Sequence, residues 1–93
     1  MPAMEARQYI IQGRVQGVGF RWYVQRQASA LKIDGWVRNR PDGSVEVWAE
    51  APLAVLDNFQ SLLQKGPPGS FVRNIEIENL GRSGLYHGFD IKF

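Results

Sequence analysis

The sequence predicts an α+β fold of order βαββαβ closed by a short C-terminal strand, with two helices on one face of an antiparallel sheet. Three observations predict it. Runs of period two alternate with two runs of helical spacing. Asp42-Gly43 between two β-rich runs signals a hairpin. Gly66-Pro67-Pro68-Gly69-Ser70 is a firm break before the last quarter of the chain.

Taken in order, Arg7 to Val15 reads as a half-buried strand, with Tyr9, Ile11 and Val15 on one side and Gln8, Gln12 and Arg14 on the other. Ile10 sits among the polar set. After a glycine-rich loop, Phe20, Tyr23, Val24, Ala28 and Leu31 share one helical face, so a helix of about three turns follows. Gly35-Trp36-Val37-Arg38-Asn39 and Val45 to Glu50 form the hairpin strands. Pro52 suits the first turn of a second helix, which carries Val55, Leu56, Phe59, Leu62 and Leu63 inward and ends at Gly66. Phe71 to Glu78 alternates again, with Phe71, Ile75 and Ile77 inward, and Phe89 to Phe93 is the closing strand. Leu80 to Gly88 is read as a loop.

Ninety-three residues suit one domain, 1–93, of which 1–5 are expected to form a flexible tail. Eleven basic and nine acidic residues give a net charge of +2, too mild to indicate nucleic acid by electrostatics. With no cysteine there is neither a disulfide nor a thiolate, and the single histidine, His87, excludes a histidine cluster. No metal or cofactor is expected. Without a signal-like start or an apolar run of spanning length, the chain is expected to be a cytoplasmic monomer away from membranes.

The stretch Gly13-Arg14-Val15-Gln16-Gly17-Val18-Gly19-Phe20-Arg21 joins the first strand to the first helix. Its glycines allow amides to turn toward one point, where the positive end of the helix dipole and Arg21 add to them. Taken alone, the loop suits either an anion cradle or a plain turn with a surface arginine. Topology narrows the choice. A helix returns the chain between the first and second strands, so these run parallel and their C-terminal ends share one edge. Asn39, with the side-chain parity of Val37, is therefore expected beside the start of the first helix as a partner of Arg21.

The glycine loop, followed by Gly35-Trp36-Val37-Arg38-Asn39 and Asp42-Gly43-Ser44-Val45-Glu46, resembles the two-part signature of the acylphosphatases. The similarity in element order spans essentially the whole chain and implies a ferredoxin-like fold and hydrolysis of small acyl phosphates. It further implies that the amides of Gln16, Gly17, Val18, Gly19, Phe20 and Arg21, with the Arg21 guanidinium, bind the phosphoryl group, and that Asn39 orients the attacking water. Two positions depart from the family's usual glycines, Lys32 after the first helix and Ala51 before the second.

The implied chemistry fits so sparse a site. Cleavage of the carboxyl–phosphate anhydride releases a carboxylate whose conjugate acid has a pKa of about 4, so no general acid is required. Positioning and charge stabilisation remain. Asn39 is too weak a base to do more than orient.

Rival readings are a ferredoxin-like RNA-binding module and a regulatory anion-binding module. The aromatic RNA-binding consensus fails at Gln16, Val18 and Arg21. Trp22, Trp36 and Trp48 suit either a stacking platform or packing, with packing favoured for at least two. Arg14, Arg38 and Arg40 suit either substrate attraction or solvated strand positions. His87 is read as a solvated loop residue.

Overall fold

The computed structural model describes residues 3–93. The chain runs β1 (Met4–Arg14), α1 (Phe20–Ala30), β2 (Asp34–Asn39), β3 (Val45–Pro52), α2 (Leu53–Lys65), β4 (Phe71–Leu80) and β5 (Phe89–Lys92). The strands form one sheet of order β4-β1-β3-β2-β5. β3 is antiparallel to both β1 and β2, so these two flank it in parallel, as the helical return demands.

Alternation places Tyr9, Ile11, Val37, Val45, Val47 and Ala49 on the helix-bearing face, each fully buried. Phe20, Val24 and Ala28 of α1 and Leu56, Phe59 and Leu63 of α2 meet them there, at helical spacing. Each large side chain so buried contributes about 1.5–3 kcal/mol. Tyr9 and Phe59 pack edge to face, with ring centroids 6.0 Å apart. Trp36 and Trp48 face each other across β2 and β3 on the opposite side of the sheet, where Trp36 is buried and Trp48 half-buried.

α1 ends in a double-bonded cap. Lys32 N donates to Ser29 O (3.1 Å) and Ile33 N to Ala28 O (2.9 Å), while Ile33 and Ala28 both lie in the core. This requires left-handed backbone at Lys32, whose φ is 57°. Ala51, by contrast, lies buried within β3 and pairs with Glu5.

Five sequence expectations are amended. Met4 and Glu5 belong to β1, paired with Pro52 and Ala51, rather than to a tail, because an extended β3 gives their backbone a partner. Ala3 precedes the strand, and the remaining tail residues, Met1 and Pro2, lie outside the described residues. Pro52 caps α2 from outside with extended backbone (φ −58°, ψ 149°), and the first helical turn starts at Leu53. Phe71 is 65% exposed rather than inward, because β4 carries an extra residue opposite Gln12 and Gly13, and this bulge passes the inward position to Val72. Ile77 keeps its parity but is 40% exposed, since β4 is an edge strand. Finally, the sheet is mixed: β5 runs parallel to β2, because residues 81–88 cross from the β4 edge to the opposite edge at one end of the sheet.

Candidate active site

The end of the sheet where β1 and β2 both finish carries a depression of about 160 Å³, lined by Val15, Gly17, Gly19, Phe20, Arg21, Trp22 and Asn39. Residues 18 positions apart in sequence, Arg21 and Asn39, both line it because β1 and β2 point the same way.

The loop is shaped by Gly17 and Gly19, both with φ near 75°. A Cβ at either would meet no atom within 4 Å, so the demand there is for left-handed backbone rather than for space. Gly19 is the N-cap of α1, without side-chain capping and without an acidic residue in the first turn. The first helical bond runs from Tyr23 N to Gly19 O (3.1 Å). Among the described residues, no backbone carbonyl accepts from the amides of Phe20, Arg21 or Trp22. A helix N-terminus left open in this way favours an anion, through its unpaired donors and through the dipole.

Phe20 is 1% exposed and its ring is committed to the core, so this residue offers the depression its backbone. Val18 packs on the core. Arg21 reaches toward β5: its Nη1 donates to Lys92 O (3.3 Å), and its guanidinium lies over the Phe93 ring, 4.7 Å from the centroid.

Asn39, at the end of β2, has a buried Oδ1 with no hydrogen-bond partner among the described residues. Leaving such an atom unpaired costs about 1–3 kcal/mol, a cost that a bound water or ligand group would lift. Turning the amide by 180° exchanges acceptor for donor, so the group can present either to the depression.

Gln16 and Val18 do not line the depression. The Gln16 side chain instead binds the β2–β3 hairpin, its Nε2 donating to Arg40 O (2.8 Å) and Ser44 O (2.9 Å). The hairpin is itself braced, with Asp42 Oδ1 accepting from Ser44 N (2.9 Å) and Ser44 Oγ (2.5 Å). Ser44, with help from Arg40, holds the Asp42 carboxyl below its ordinary range. Gly43 supplies the expected positive φ, 91°. Sequence reasoning missed this clamp and missed Val15 and Trp22 as lining residues. The Asp-Gly-Ser turn was readable, but nothing in the residue types marks a glutamine that binds two main-chain carbonyls.

The remaining candidates lie apart. Arg38 pairs with Glu46 (2.7 Å), Arg40 approaches Asp42 at 3.9 Å, and Arg14 and His87 are exposed. No helix among the described residues is long and apolar enough to cross a membrane.

A helix N-terminus with open amides, an arginine in its first turn and a strand-end amide beside it make an α+β protein whose site suits an anion. Comparison with known proteins takes this further. The model of the acylphosphatase family matches residues 7–91. An acylphosphatase of Koribacter versatilis is 52% identical over 75 residues, covering 81% of this chain and 68% of that protein. One from Bacillus velezensis is 46% identical over 84 residues, covering 90% and 93%. The crystal structure of acylphosphatase from Bacillus subtilis superposes with a TM-score of 0.93 at 40% identity, covering 98% of this chain and all of the other. The chain belongs to the acylphosphatase family. Membership makes it a hydrolase and disfavours the RNA-binding and regulatory readings.

Proposed function

We propose that the chain hydrolyses the carboxyl–phosphate anhydride bond of acyl phosphates with the phosphoryl group held by the loop from Gln16 to Arg21 and the attacking water oriented by Asn39. The observation that carries this reading is the convergence of the open amides of α1, Arg21 and the unpaired Asn39 Oδ1 on one depression.

Each group has one task. The amides and the guanidinium offset the charge on the equatorial phosphoryl oxygens. Because the guanidinium is planar, it can pair with two of those oxygens at once. Asn39 holds water in line, accepting from it or donating to a phosphoryl oxygen. The acyl oxygen departs as a carboxylate and takes no proton from the protein at neutral pH. We further infer a cytoplasmic monomer that acts on a small acyl phosphate and not on nucleic acid, a reading supported by the mild net charge of +2.

The test is hydrolysis of benzoyl phosphate by the chain and by Arg21→Lys. A lysine keeps the charge but not the two-pronged geometry, and a loss of at least ~2–3 kcal/mol of transition-state stabilisation is expected, by analogy with removal of an oxyanion donor. Near-normal turnover by the variant would refute the role of Arg21.

A further inference from the structure

We propose that Trp22 forms an acyl-group subsite at the mouth of the depression and turns the enzyme toward acyl phosphates whose acyl group is aromatic. The inference rests on reading the depression as the phosphoryl site.

Three observations carry it. The first is size. The depression is small, about 160 Å³ in volume. A phosphoryl group and its attacking water take up most of that, so the acyl group must lie outside.

The second is direction. Of the residues that line the depression, Asn39 carries a buried Oδ1 whereas Trp22 is exposed, so the depression runs inward from Trp22 toward Asn39. In an in-line displacement the leaving oxygen lies opposite the water, so the acyl group points from the inner end toward the mouth.

The third is what stands at the mouth. Among the lining residues, Val15 and Phe20 are 1% exposed and committed to the core, and the glycines offer no side chain. Trp22 is 63% exposed, the one large apolar lining residue whose surface is free. The other two tryptophans are sunk into the outer face of the sheet, so this exposure is not general to the chain. An indole left open beside a phosphoryl site offers an aromatic acyl group a face to stack on.

Contacts to a part of the substrate that does not react strengthen ground state and transition state alike, so the effect belongs in KM rather than kcat. The experiment measures kcat and KM of the chain, Trp22→Ala and Trp22→Phe for benzoyl phosphate and acetyl phosphate. Competitive inhibition by inorganic phosphate is the control. Trp22→Ala should raise KM for benzoyl phosphate about tenfold more than KM for acetyl phosphate, with Trp22→Phe recovering most of the difference. Equal changes for both substrates, or none, would overturn the subsite while leaving the phosphoryl site standing. An equal weakening of inorganic phosphate would also overturn it, because that anion has no acyl group. If the unaltered chain hydrolyses neither substrate, the phosphoryl-site reading fails and the subsite falls with it.

Discussion

The side-chain amide of Gln16 donates to the main-chain carbonyl of Ser44 at 2.9 Å, and the same nitrogen reaches Arg40 O at 2.8 Å. The loop after β1 is thereby tied to the hairpin that starts immediately after Asn39. Arg21 and Asn39 come from separate elements, and this bond pair spans the gap between them.

Gln16→Leu is therefore expected to act on both stability and turnover. Two neutral hydrogen bonds at about 0.5–1.5 kcal/mol each set a stability loss of about 1–3 kcal/mol. Loss of register between the amides and Asn39 should also lower kcat, since small misplacements are costly in an oriented reaction. Urea unfolding and steady-state kinetics check the pair. A variant that is destabilised but keeps full kcat would show that the clamp serves the fold alone.

Asn39→Ala separates activity from stability in the opposite sense. Removing a group that orients the reacting atoms should lower kcat by about 10²-fold or more, by comparison with loss of an oxyanion donor. The folded state, however, sheds a buried oxygen that has no partner. Unfolding free energy should hold within about 1 kcal/mol or rise. A large loss of stability would mean that the Asn39 amide is a structural group.

That Asn39 and Arg21 line one depression was legible because it depends on strand direction alone, and a helix between two strands of one sheet forces that direction. The outward turn of Phe71 was not, because period-two reading assumes an unbroken ladder and the extra residue in β4 alters parity without any mark in residue type. The place of β5 was hidden for a related reason. Its parallel pairing with β2 depends on the path of residues 81–88, which have no periodicity to read. Trp22 was legible as an aromatic, but whether it packs or stands free is a property of the packed helix. Met4 and Glu5 carry no strand pattern of their own and are ordered by pairing with β3.

Lys32→Gly is expected to stabilise the chain. The cap of α1 fixes left-handed backbone at this position (φ 57°), which costs a residue with a Cβ about 1–2 kcal/mol. Glycine removes that strain but adds freedom to the unfolded chain, worth roughly 0.5–1 kcal/mol in the other direction. The net gain should be about 0.5–1 kcal/mol. It should appear as a higher urea midpoint at unchanged slope, whereas a lower midpoint would mean that Lys32 makes stabilising contacts that outweigh the backbone strain.

Glu50 sets an acid limit on the fold, at the end of the sheet opposite the depression. The residue is 2% exposed, and its carboxylate accepts from Trp48 Nε1 (2.7 Å), Gly84 N (3.1 Å) and Ser83 Oγ. Burial pushes this carboxyl upward, but the bonds from Ser83, Trp48 and Gly84 together outweigh it, so the group lies below its ordinary 4.5. A carboxyl depressed in the folded state binds its proton more readily when unfolded. Its stabilising contribution is thus complete above the ordinary value and disappears as pH falls through the depressed one. Glu50→Gln should flatten the dependence of unfolding free energy on pH in that acid window, while lowering stability at neutral pH by loss of the charge-assisted bonds. Urea titrations of both chains between pH 7 and the acid limit check this; an unchanged slope would show that other carboxyls set it.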